Sequence, residues 1–78
     1  MRIMELNDFI AVFANQFDMT DPSEIQASTR FHELDEWSSL IAMSIIAMAR
    51  TEYGKTLTGT ELRTCNTVED VFNVISSK

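Results

Sequence analysis

Glycine is almost missing from this chain of 78 residues: only Gly54 and Gly59 occur. No glycine-rich loop is therefore available to wrap backbone N–H groups around a nucleotide phosphate. A single cysteine, Cys65, excludes an internal disulfide, and a single histidine, His32, leaves no cluster of metal-ligating spacing. Basic residues are scarce, six against twelve acidic ones for a formal charge of −6. That balance argues against nucleic acid or an anionic membrane as partner and suits basic protein surfaces. No apolar run is long enough to span a bilayer, and Met1-Arg2-Ile3-Met4-Glu5 lacks the uninterrupted apolar stretch of a signal peptide. The expectation is one domain over residues 1–78, monomeric and cytoplasmic, with a modest core.

What the chain does contain is helical periodicity. Ile3, Leu6, Ile10, Phe13 and Phe17 recur at three- and four-residue intervals, with Phe9 beside them, and predict a first amphipathic helix across Ile3 to Phe17. Asp21-Pro22, with Glu24 following, has the form of an N-cap and a first-turn proline, which predicts one short helical turn inside a loop, pinned by Ile25. The loop from about Asp18 to Trp37 is longer than a helix connection requires, and such length is usual only where a loop has a function. Phe31, Leu34 and Trp37 are its expected anchors. Near its end, Glu33, Asp35 and Glu36 make it acidic.

The stretch Leu34-Asp35-Glu36-Trp37-Ser38-Ser39-Leu40 then opens into the apolar run from Ile41 to Ala49. Ser38 has the acceptor side chain an N-cap needs, so a second helix is predicted from Ser39 to Tyr53, stopped by Gly54. Ser39 falls on its first turn, facing water, where free N–H groups favour the negative charge of a phosphate ester. If Ala42, Ile45, Ile46, Ala49 and Tyr53 point inward, then Leu40, Ile41, Met43, Ala47 and Met48 stand partly outside. Either the helix is more buried than this, or that surface docks a partner; docking is the preferred reading, because methionine adapts to several partners. Thr60 to Arg63 predicts a brief turn. Thr67 with Asp70 predicts a capping box for a last helix with Val68, Val71, Phe72 and Ile75 inward, and Ser76-Ser77-Lys78 is expected to fray.

Catalytic chemistry finds little support. Ser39 has only His32 as a candidate base, with no third residue placed to orient it. Asp35 and Glu36 are adjacent and point apart, and Cys65 reads as a small buried apolar residue. Ser39 is thus not activated by its own protein.

At Ser38-Ser39-Leu40 the chain resembles an acyl carrier protein, or another phosphopantetheine-binding carrier domain, whose modification motif is Asp-Ser-Leu at the start of the second helix. Phe31 eight residues before the serine and Thr67-Val68-Glu69-Asp70-Val71-Phe72 extend the resemblance over nearly the whole chain. It implies a small all-α four-helix bundle with three main helices and one short one. It implies a phosphopantetheinyl transferase that moves 4′-phosphopantetheine from coenzyme A to Ser39. Cargo then rides the terminal thiol as a thioester, supplied by an acyl- or aminoacyl-loading ligase and used by downstream synthases. The candidate docking residues are Leu40, Ile41, Met43, Ala47, Asp35 and Glu36. Candidate walls of a cargo cavity are Ile45, Ile46, Ala49, Leu62, Val68 and Phe72, which ordinary core packing would serve equally. Two departures stand out: Ser38 replaces the family's Asp, and Glu52 is the one acid of the second helix where fatty-acid carriers have several. They point to a specialised pathway. The rival from another class is an unmodified helical adaptor that uses the apolar face of the second helix to bind a partner.

Overall fold

The computed structural model describes residues 2–78, so Met1 of the opening segment lies outside the described residues. Four helices form and no strand is present among the described residues: α1 (Leu6–Ala14), α2 (Ser39–Tyr53), α3 (Gly59–Thr64) and α4 (Val68–Ser76). Two single turns of 3₁₀ helix, Pro22–Glu24 and Phe31–Glu33, sit in the long loop before α2. This is the expected small all-α bundle of three main helices and one short one. Helix α1 packs on α4 and α2, and α2 packs on α3.

Helix α1 is shorter than its periodicity suggests, and its inward face is turned. The Glu5 carboxylate accepts from the backbone N–H groups of Asn7 and Asp8 and starts the helix at Leu6. Ile3 therefore lies outside it and is exposed, while Phe9, Val12, Phe13 and Ala14 are the buried residues. Beyond Ala14 the chain tightens into i→i+3 bonds, Gln16 N–H to the Phe13 carbonyl and Phe17 N–H to that of Ala14. This keeps Phe17 in phase with the core although it is no longer helical.

Helix α2 runs between the two residues expected to bound it. Ser38 Oγ accepts from the Ile41 N–H at 3.3 Å, and Gly54 takes the left-handed conformation at φ 67°, where a side chain would be strained. Its buried stripe is Ile41, Ile45, Met48, Ala49 and Tyr53. The expectation that Ile41 and Met48 face outward is corrected: the stripe is rotated by about one residue, so Ala42 and Ile46 are half-buried instead.

The aromatic residues join these elements. Phe9 meets Tyr53 at 5.7 Å and Phe72 at 5.5 Å between ring centroids, and Phe13 meets Phe31 at 5.5 Å. Such tilted and edge-on pairs add to the energy of area burial. Capping boxes at Thr58/Glu61 and Thr67/Asp70 start α3 and α4, the second as expected from sequence. The chain's last residues are held rather than frayed. Lys78 Nζ lies 2.8 Å from Glu61, and Lys55 Nζ donates to the Lys78 carbonyl.

Candidate functional site

The long loop is fixed at several points, and that is what positions the start of α2. Its backbone carbonyls of Ala27 and Thr29 accept from Glu69 and Val68 N–H, so the loop satisfies donors at the open end of α4. Phe31 is fully buried, and Leu34 and Trp37 pack against the core, the three anchors read from sequence. Trp37 meets Phe31 edge-on at 4.9 Å and His32 at 5.0 Å. The His32 side chain joins the loop to the end of α3, its Nε2 lying 3.0 Å from the Cys65 carbonyl. Cys65 itself is buried, and burial pushes its thiol above the ordinary range.

Glu36 supplies a tie that sequence reading missed. Its carboxylate accepts from the N–H groups of Asp18 (2.7 Å), Met19 (2.9 Å) and Thr20 (2.8 Å) and from the Thr20 hydroxyl (2.8 Å). Partial burial pushes this carboxyl upward, but the hydrogen bonds from Thr20, Met19 and Asp18 together outweigh it and hold it below the ordinary carboxylate range. A partner cation therefore finds Glu36 already engaged, whereas Asp35 is exposed. No local pattern announces a bond between residues sixteen to eighteen positions apart.

With the loop held on one side and Ser38 capping on the other, Ser39 occupies the first turn of α2 and is exposed. Leu40 is 71% exposed and Met43 66%, with Ala47 exposed one turn on, so three of the proposed docking residues do share an outer face. Ile41 does not belong to it, being 7% exposed. Beside Ser39 a groove of about 400 Å³ runs between α2 and α3. Trp37, Ala42, Met43, Ile46 and Leu62 give it an apolar floor, and Arg63 lines its α3 side. Of the six candidate cavity walls, Ile46 and Leu62 line this groove; Ile45, Ala49 and Val68 are core, and Phe72 is half-buried against it.

The site thus joins an exposed hydroxyl at a helix start to an open groove next to it. Among the described residues no group of three His, Cys, Asp or Glu side chains is placed to hold a metal ion, and no helix is long and apolar enough to cross a membrane. The family model described as phosphopantetheine attachment site matches residues 7–75, and the chain belongs to that family of carrier domains. Its prosthetic group is covalently bound 4′-phosphopantetheine, and proteins of this family work with phosphopantetheinyl transferases and synthase enzymes. No curated protein and no solved structure gives a significant match to the chain.

Proposed function

We propose that this protein is an acyl, aminoacyl or peptidyl carrier that holds its cargo as a thioester on 4′-phosphopantetheine attached to Ser39. The observation that carries this reading is the exposed Ser39 on the first turn of α2, behind a capping Ser38 and followed by Leu40, in a chain of the phosphopantetheine family. Attachment joins the Ser39 oxygen to the β-phosphorus of coenzyme A. Adenosine 3′,5′-bisphosphate leaves, and the hydroxyl proton passes to a base on the transferase, since nothing in this chain activates the serine. The bound arm supplies a thiol for thioester formation. The chain's own contribution is to present Ser39 on a rigid helix start and to offer a docking face. It catalyses no step itself.

That face supports a specialised role. Leu40, Met43 and Ala47 form an outer apolar stripe, and the first turn of α2 holds no acid. A loading ligase or synthase would be recognised here by apolar contact more than by charge pairing. The unmodified adaptor has the same stripe in its favour but leaves Ser39 without a use.

The test is the intact mass before and after incubation with coenzyme A and a broad-specificity phosphopantetheinyl transferase. The parent is expected to gain one phosphopantetheine and Ser39→Ala none, while that variant's stability changes by no more than about 0.5 kcal/mol. Loading that persists in Ser39→Ala would move the attachment to Ser38. No gain by an unmodified parent would favour the adaptor.

A further inference from the structure

In a chain with twelve acidic residues and net charge −6, the groove beside Ser39 is lined by no carboxylate. It is lined by Arg63, and the six cations of the chain are not equally free. Arg2 pairs with Asp8 and Glu52, Arg30 with Glu33 and Lys78 with Glu61, while Lys55 donates to a backbone carbonyl. Among the described residues Arg63 has no carboxylate partner; its Nη2 makes only a long 3.4 Å contact with Thr60 Oγ1. Arg50 also lacks one, but it lies toward the other end of α2 and does not line the groove. One uncompensated guanidinium thus faces a mainly apolar channel that begins at the candidate attachment serine.

The attached group has a matching order of chemistry. Its phosphodiester, nearest the serine, carries a negative charge, and a branched apolar dimethyl segment follows directly. We propose that Arg63 binds this phosphodiester and that the floor formed by Trp37, Ala42, Ile46 and Leu62 receives the apolar segment next to it. The carrier then has a docked state of its own arm, in equilibrium with a free one that reaches partner enzymes. Arginine suits this task because its planar donors meet two phosphate oxygens together. The inference rests on Ser39 as the attachment residue.

The test is nuclear magnetic resonance of the ¹⁵N-labelled protein in apo and fully loaded forms, each confirmed by intact mass. Both the Arg63 Nε–H and the Trp37 indole N–H resonances are expected to shift on loading. In loaded Arg63→Gln the Trp37 shift should be mostly lost, with the thermal midpoint of the exposed-site variant unchanged. Arg63→Lys should keep part of the shift, and added salt should weaken it in the parent. An equal Trp37 shift in parent and Arg63→Gln would overturn the proposal. So would the same shifts produced in Ser39→Ala by free coenzyme A, which would assign Arg63 to the phosphates of the donor. A mass gain that survives Ser39→Ala would instead remove the attachment residue on which the inference stands, and is read before any spectrum.

Discussion

Ile41 and Met43 are two residues apart and chemically alike, yet the fold gives them different work. Ile41 is 7% exposed within the core stripe of α2, and Met43 is 66% exposed on the opposite side. Ile41→Asp would bury a charge without a partner and should cost about 3–5 kcal/mol, enough to unfold much of so small a domain. Met43→Glu should leave stability within about 0.5 kcal/mol and weaken transfer with the cognate enzyme. Urea unfolding of both variants, with transfer rates for the folded one, checks the pair. The sequence alone could not separate these residues. Almost every position from Leu40 to Met48 is apolar or small, so the period of the helix was legible but its phase was not. Ser39 was legible for the contrary reason: one polar pair, Ser38-Ser39, breaks an acidic loop from an apolar run, and the break marks where the helix starts.

At the scale of the element, the bounds of α2 and the start of α4 were readable from the residues that cap them. Ser38 and Gly54 bound α2, and the Thr67/Asp70 box starts α4. Helix α1 escaped because Glu5, a residue type seldom chosen for the purpose, performs the capping. The dependence of α2 on Gly54 is direct. Gly54→Ala keeps the left-handed conformation only at a steric cost, so a loss of about 1 kcal/mol in a denaturant midpoint series is expected, with the helix end slightly frayed. The long loop was legible in its anchors, Phe31, Leu34 and Trp37, since large apolar residues in a polar segment have few places to go. Its ties through Glu36 and His32 were not, because each joins residues far apart in sequence and only the packed chain brings them together.

Across the whole molecule the same ties set the response to acid. Glu36 and Glu61 are held below the ordinary carboxylate range, Glu61 first by Lys78 and then by the Thr58 N–H; Asp70 is held down by Thr67 and Asn66 N–H groups, and Asp21 by Ser23. Each of these groups binds its proton less readily folded than unfolded. Their stabilisation is therefore fully present above the ordinary carboxylate pKa and is lost as pH falls through the lowered folded values. Urea midpoints should fall on acidification below that range, and Glu36→Gln should show a smaller fall than the parent. The core sets the opposite limit. Phe13 touches Phe9, Phe17 and Phe31. Phe13→Ala should cost about 3–5 kcal/mol, against a total for such a domain near the bottom of about 5–15 kcal/mol. Circular dichroism of that variant at room temperature should show a substantial unfolded fraction.

The chain has one tryptophan and one tyrosine, and the bundle puts them at opposite ends of α2. Trp37 stands half-buried at the mouth of the groove, and Tyr53 is sealed against Phe9 at the far end. The fifteen-residue helix between them is about 22 Å long. Each end of the molecule thus carries its own native chromophore, and excitation passes from tyrosine to tryptophan with an efficiency that depends on their separation. Opening of the serine-bearing end alone would change tryptophan emission while the near-ultraviolet circular dichroism of the sealed tyrosine stayed native, so light by itself distinguishes a local release from a global collapse of the fold.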